Sequence, residues 1–358
     1  MNFHSPRAIA FALCLTALVL PGSALAGAGQ LTVAVVPLTT AVTYSAPTSA
    51  SPPRPALTTY VGYTVNISNS GGNTINNIRL TGAAHPTDAD EKALIDSVEG
   101  GSCTIGADQI SIDCSIGQLK AGQAYPQFAV FFKAPVKDTA SPLPNGDAAK
   151  CDTTDCVSFG GSIIYAEAGG GPTSPPQNSI KPWAAAPVTL GTTNPTLVKS
   201  AVPKGGATLF TGAGGNSTGN DPFATSVVVQ GGATFTTAEI QELPDNANCT
   251  NNFSACFRAD ITIPGTFAPY LTIVLRQDAS TILSGVKIES VLIQYSGESG
   301  TGIVGDCANA TTPRTDGFPC IAKRTYYKSK QTPGWTLELD GDFEWKLLNI
   351  RNGSYKVF

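Results

Sequence analysis

Apolar and polar residues alternate with a period of two along much of this chain, and that period predicts strands. Leu31, Val33 and Val35 share one face of a first strand. Val61, Tyr63, Val65 and Ile67 face one way in a second, with Thr64, Asn66 and Ser68 opposite and a turn at Asn69–Asn73. Ile78 and Leu80 open a third, Phe128, Val130 and Phe132 mark a later one, and residues 157–165 close the set. Farther along, Leu271, Ile273 and Leu275 alternate with Thr272, Val274 and Arg276. Residues 286–295 read as another strand, bulged near Ser290 where the apolar parity switches. Asn352-Gly353 is a two-residue turn signal, predicting a hairpin that pairs Ile350 with Tyr355 and Leu348 with Val357.

Three stretches depart from this pattern. In residues 87–98, Asp88 with Glu91 resembles a capping box, and Leu94 and Val98 lie one turn apart, so a short helix is expected before Gly100-Gly101. Residues 168–187 hold Gly169–Pro172 and Pro175-Pro176 with little strand pattern, and read as a linker. The N-terminus carries Arg7, an apolar run from Ala8 to Leu20, a Pro21-Gly22 break and Ala24-Leu25-Ala26. That is the layout of a secretory signal peptide over residues 1–26. No later segment approaches the ~20 apolar residues of a membrane-spanning helix.

The cysteines agree with export. Apart from Cys14 in the apolar run, they form four neighbouring couples: Cys103/Cys114, Cys151/Cys156, Cys249/Cys256 and Cys307/Cys320. None has the close spacing of a zinc site, and each couple lies within one expected hairpin or loop, which favours local disulfides. Loops this short imply about 2–3 kcal/mol of stabilisation each in the chain-entropy model. Charged residues are 13% of the chain, about half the usual quarter, which favours short strands and turns over salt-bridged helices. A net charge of −4 argues against nucleic acid, which calls for a basic surface.

Candidate chemistry is sparse. Beyond the leader the one histidine is His85, expected in a loop, so a Ser-His-Asp or Cys-His site has to use it. Ser217 sits in Gly-Asn-Ser-Thr-Gly, formally a nucleophile elbow, but in a Gly-rich loop with no following helix. Ser284 and Lys287 match Ser-x-x-Lys at the start of an expected strand. Asp340, Asp342 and Glu344 offer oxygens of the kind calcium takes, although a polar turn is the plainer reading. Paired-carboxylate glycoside hydrolysis needs no histidine, yet nothing selects a pair. Lys323, Arg324, Lys328 and Lys330 flank Tyr326 and Tyr327, with Trp335 close behind. This set reads either as a groove for acidic glycans or as an edge strand that uses lysine to discourage pairing, and the second is favoured.

Several motifs of the first half belong together: Tyr63–Gly71, Ile78-Arg79-Leu80, Cys103, then Cys114–Gly122 with its Gly-Gln-Leu-Lys-Ala-Gly step, then Phe128–Pro135. Over about residues 31–167 this order resembles the bacterial conserved repeat domain, also known as domain of unknown function eleven. The Pro-rich insertion and the short helix depart from that pattern. The resemblance implies an immunoglobulin-like β sandwich in an exported or cell-surface protein, with no catalytic residues to carry over. The remainder resembles an uncharacterised exported bacterial segment, notably at Ile263–Phe267 and Gly341–Trp345.

The expected architecture is all-β: a sandwich domain over 27–167 that includes the short helix, a linker over 168–187 and a second β-rich domain over 188–358, stapled by local disulfides. The expected role is a secreted, cell-surface or periplasmic interaction or structural protein without catalysis or cofactor. Its partner is a protein or glycan at the envelope or outside the cell. A carbohydrate-binding module is the alternative, and an exported carboxylate-dependent hydrolase ranks third.

Overall fold

The computed structural model describes residues 31–43, 59–85, 93–134, 156–167, 177–191, 196–211, 217, 221–232, 234–246, 249, 252–264, 270–328, 330–334 and 337–358. The expected leader, Cys151 and Trp335 lie outside these residues. The first strands are β1 (Leu31–Pro37), β2 (Ala41–Thr43), β3 (Tyr60–Asn69), β4 (Ile75–His85), β5 (Leu94–Glu99), β6 (Cys103–Ile105), β7 (Ser111–Leu119), β8 (Phe128–Lys133), β9 (Cys156–Glu167), β10 (Gln177–Ala184) and β11 (Val188–Gly191). They are followed by β12 (Leu197–Val202), β13 (Gly206–Phe210), β14 (Phe223–Gln230), β15 (Thr236–Pro244), β16 (Phe257–Thr262), β17 (Leu271–Gln277), β18 (Ile293–Gly297), β19 (Gly300–Ile303), β20 (Cys320–Tyr326), β21 (Phe343–Asn349) and β22 (Gly353–Val357). The helical elements among the described residues are three-residue 3-10 turns. None of the described helices is long and apolar enough to cross a membrane, which says nothing of strands.

These strands form three sheets. A ten-stranded sheet runs β19-β18-β22-β16-β15-β12-β3-β8-β5, with β1 also on β3. A seven-stranded sheet runs β2-β11-β9-β4-β7-β6, with β10 on β9, and a five-stranded sheet runs β13-β14-β17-β21-β20. The long sheet contributes one wall to each of two cores.

Strand parity explains both cores. Val61, Tyr63, Val65 and Ile67 of β3 and Phe128, Val130 and Phe132 of β8 meet Leu80, Ile112, Phe159, Ile163 and Tyr165 of the seven-stranded sheet. Each large apolar side chain removed from water contributes about 1.5–3 kcal/mol. The Tyr63 ring packs near Phe132 and Phe159, with centroids 6.0 and 5.4 Å away, and its hydroxyl donates to the Val157 carbonyl at 2.8 Å. The second core sets Ile240, Ile261, Ile293, Tyr355 and Val357 against Val227, Leu271, Ile273, Leu275, Phe343, Trp345 and Leu347 of the five-stranded sheet.

Where the long sheet passes from one core to the other, the ladder narrows to Tyr60 opposite Ala201. Side chains reinforce it. Ser200 Oγ accepts from the Tyr60 amide at 2.8 Å, Thr43 Oγ1 from the Lys199 amide at 2.9 Å and Glu99 Oε1 from the Lys204 amide at 2.8 Å. A small apolar cluster of Ala129, Phe131 and Ala201, with Leu38, Tyr60 and Phe235 against it, closes the joint.

Three disulfides are in place as neighbouring couples: Cys103–Cys114, Cys249–Cys256 and Cys307–Cys320. Cys103 and Cys114 sit directly opposite each other on β6 and β7. Cys156 is also disulfide-bonded.

Several expectations need correction. Residues 94–98, expected to finish a helix, lie in strand β5 on the edge of the long sheet. A bulge between Ile95 and Ser97 breaks the alternation, so Leu94, Ile95 and Val98 fall at helix-like spacings although Ile95 and Val98 both pack on the core. The start of that helix, residues 87–92, lies outside the described residues. A similar spacing misleads at 286–295. Ile288 and Val291 are both buried, but through a 3-10 turn at Ile288–Ser290 rather than a bulged strand. The stretch 168–187 is not all linker: β10 pairs with β9 over its whole length, and Trp183 packs on Phe159 with centroids 4.9 Å apart. Gly82 makes room for that indole, since a Cβ there would stand 2.7 Å from it.

The terminal hairpin does not form. β21 pairs with β17 and β20 in the five-stranded sheet, whereas β22 pairs with β16 and β18 in the long sheet. Asn352-Gly353 therefore carries the chain across the core from one wall to the other. The Asn352 side chain completes the edge of β16 by accepting from the Ile263 amide at 2.8 Å and donating to its carbonyl at 2.9 Å. Gly353 lies against the Tyr295 ring, where a Cβ would collide.

Candidate functional site

The cationic and aromatic segment singled out in the sequence is β20, an edge of the five-stranded sheet. Lys323 is opposite Lys346, Arg324 opposite Trp345, Thr325 opposite Glu344 and Tyr326 opposite Phe343, after a register shift between Ile321 and Lys323. Lys323 is exposed, and Arg324 is ion-paired with Asp306. Tyr326 is 42% exposed, its ring edge-on to Phe343 with centroids 5.2 Å apart.

Tyr327 is not a free aromatic platform. It is buried, its hydroxyl donates to Glu344 Oε2 at 2.9 Å, and Arg276 stands 5.6 Å from its ring centre. Burial, then the negative charge of Glu344, pushes its hydroxyl up to about 12. Arg276 is ion-paired with the same carboxylate. Glu344 is thereby held as the acceptor between two donors.

Asp342 is buried and fully engaged as well. Its Oδ1 accepts from the Ala279 amide and its Oδ2 from Ser217 Oγ, both at 2.9 Å. Burial raises its carboxyl to about 6 against the pull of those bonds. Ser217, the serine of the elbow-like motif, is thus a buried donor that ties its loop to the start of β21. Asp340 is exposed. Among the described residues no three His, Cys, Asp or Glu side chains gather as metal ligands. His85, expected in a loop, ends β4 opposite Ser158.

Sequence reasoning missed an acidic residue inside the second core. Glu242 of β15 follows Ala238 and Ile240 on the inward face. Thr211 Oγ1 donates to its Oε1 at 2.5 Å, while Oε2 has no partner among the described residues. Burial pushes this carboxyl up to about 8, and Asp221, itself raised to about 6 by burial, adds to the effect. Glu242 is accordingly protonated in most molecules at neutral pH. The signal was present in the sequence: a glutamate on the apolar parity of a strand.

A groove of about 890 Å³ crosses the outer side of the seven-stranded sheet. Its walls are uncharged: small residues such as Thr81, Ala83, Ser111 and Ser162 together with Ile112, Pro182 and Trp183. Thr81 and Ser162 share a hydroxyl hydrogen bond of 3.1 Å across it.

No family model matches the chain, and no curated protein matches it. Among solved structures it is similar to a GH20 exo-β-N-acetylglucosaminidase from Vibrio harveyi. The inactive mutant of that enzyme aligns at TM-score 0.23 and 13% identity, covering 49% of this chain and 21% of that one. The complex with N-acetylglucosamine aligns at TM-score 0.22 with the same identity and coverage. The chain thus spans about a fifth of the glycosidase. AvmM, described as catalysing macrocyclization in alchivemycin A biosynthesis, aligns at TM-score 0.22 and 10% identity, covering 44% of this chain and 90% of that one.

Proposed function

We propose that the protein is a non-catalytic scaffold outside the cytoplasm, exported through its N-terminal segment and serving adhesion, envelope association or extracellular assembly. The observation that supports this most is the construction of the long sheet, which walls two cores and joins them through Tyr60 and Ala201. Staples at Cys103–Cys114, Cys249–Cys256 and Cys307–Cys320 lock loops and edges around that frame. Disulfides of this kind persist in oxidising compartments. The side chains with the most reactive pattern, Ser217, Asp342, Glu344 and Tyr327, are engaged in holding elements together. The first half keeps the order of motifs that resembles the bacterial conserved repeat domain, a resemblance that favours a surface location.

Fractionation of the native host tests the reading, with thiol labelling of each fraction. The scaffold reading expects the chain in the medium, the periplasm or on the envelope, unlabelled without reductant and captured together with a surface protein or glycan. A cytoplasmic pool with freely labelled cysteines would falsify it.

A further inference from the structure

Among the described residues the arginines and several lysines are neutralised locally, and lysines that are not so paired gather at one place. Each described arginine is ion-paired: Arg79 with Asp113, Arg258 with Asp260, Arg276 with Glu344, Arg314 with Asp316, Arg324 with Asp306 and Arg351 with Glu298. Lys133, Lys199 and Lys356 also have carboxylate partners. Among the described residues, Lys120, Lys204, Lys287, Lys323, Lys328 and Lys346 have neither an ion pair nor a ring contact, although Lys204 lies within the field of Glu99. Three of these six gather on β20, its immediate continuation and β21.

Lys323 and Lys346 are direct cross-strand neighbours on the outer face of the five-stranded sheet. Like charges placed opposite each other destabilise a sheet, and no carboxylate relieves this pair. Of the acids beside them, Glu344 is held by Arg276 and Tyr327, and Asp306, bridged to Ile321 of β20, is ion-paired with Arg324. Val274 continues the row on β17 beyond Lys346, and the buried Thr325 lies two residues along β20 from Lys323, opposite Glu344. Lys328 is exposed just past the end of β20. In a chain with a net charge of −4, such a concentration of uncompensated cations is a local conflict, and conflicts of this kind mark sites of function.

The geometry points to this outer face of β20 and β21 as a docking surface for an anionic polysaccharide, a partner class that rests on the scaffold reading above and deepens it. Charge complementarity carries the choice of ligand. Lysines are flexible point charges that do not demand the forked geometry of an arginine site, so they suit carboxylates repeated along a polymer. An acidic protein partner calls for a desolvated apolar or aromatic anchor at the centre of its footprint. Around the lysines the face offers the half-buried Val274 and the buried Thr325, while the exposed aromatic, Tyr326, lies at the margin.

Affinity electrophoresis of the disulfide-intact chain tests this, with alginate as a polyuronate, dextran as a neutral glycan and poly-glutamate as an acidic polypeptide. The double variant Lys323→Glu/Lys346→Glu is compared with Lys120→Glu/Lys287→Glu, which has the same net charge. Thermal unfolding of both checks that they fold. The expected result is retardation by alginate but not dextran, weakened by salt. The first variant should lose about tenfold in affinity and the second little. Equal behaviour of the two variants, or no retardation of the wild-type chain, overturns the site. Tighter binding to poly-glutamate than to alginate, lost in the first variant, overturns the glycan assignment. Recovery of the first variant from the host envelope or medium, as for the wild type, would leave the scaffold reading standing while this site falls.

Discussion

The two cores solve the same packing problem with different materials. Around the first, the described buried polar side chains are neutral: Thr43, Thr59, Thr64, Asn69 and Ser158. The second encloses Glu242, Asp278, Asp342 and Lys356. Lys356 is paired with Asp245 at 3.0 Å, and Asp278 caps the 3-10 turn that follows it by accepting from the Ser280 amide. Glu242 and Asp342 have no cationic partner close enough to hold them ionised, and burial raises both. An apolar core is indifferent to pH. A core with carboxyl groups raised by burial is not, although both belong to one long sheet.

The largest effect that sharpens this contrast comes from removing a central aromatic on each side. Trp345→Ala in the second core and Phe159→Ala in the first should each cost about 3–5 kcal/mol. The joint contains one ladder pair, three side-chain hydrogen bonds and a small cluster, far less than either core buries. Calorimetry should therefore resolve two transitions in each variant, with the mutated side melting first. A single transition would mean that the long sheet couples the cores and that the contrast is one of composition alone.

The next effect is a pH dependence of the second core. The folded carboxyl of Glu242 lies near 8, above its ordinary value of 4.5, so the fold favours the protonated form. Its contribution is complete below about 4.5 and is lost as pH rises toward 8. Glu242→Gln removes that loss. At pH 7 it should stabilise the second transition by about 2–3 kcal/mol, shrinking to nothing near pH 4. Denaturant titrations at both pH values check this. Equal stability of the variant and wild type at pH 8 would sink the assignment.

Opening the staple at the first core comes third. Cys103→Ala/Cys114→Ala should cost about 2–3 kcal/mol and lower only the first transition. A comparable drop in the second transition would contradict a local role. Smallest is Asp342→Asn, which keeps one acceptor and sets an amide where two donors converge. A loss of about 1 kcal/mol is expected at pH 8. That cost should grow as pH falls toward 4, because the wild-type carboxyl, raised to about 6, costs more when ionised. Urea midpoints at the two pH values measure it, and a loss independent of pH would remove Asp342 from the titrating set.

Strand faces were legible because alternation is a local property. Val61, Tyr63, Val65 and Ile67, and Leu271, Ile273 and Leu275, are all buried as their parity requires. The cysteine couples at 103/114, 249/256 and 307/320 were legible for the same reason, since their partners lie within one hairpin or loop. Three-residue spacings were ambiguous. At Ile95 and Val98 such a spacing marks a bulge, and at Ile288 and Val291 a 3-10 turn. β10 was hidden because β9 supplies the hydrogen bonds, and Gly82 of β4 the seat, that let Pro182 and Trp183 lie in an edge strand. At the candidate site, the edge position of Lys323 and Arg324 was readable. The burial of Tyr327 and the opposition of Lys323 to Lys346 were not, because each depends on residues distant in the sequence.

By itself, then, the chain determined that it builds β structure and which way most side chains face, and it favoured the three neighbouring cysteine couples that form. Those are decided within a few residues, by the pleat and by short loops. Only the tertiary structure decided that the turn at Asn352-Gly353 crosses from one sheet to another, that Glu242 is sealed in a core and that one sheet walls two cores. Strand partnership is a contest among distant segments for the same open edge, and its outcome rests on complementary surfaces that no local window contains.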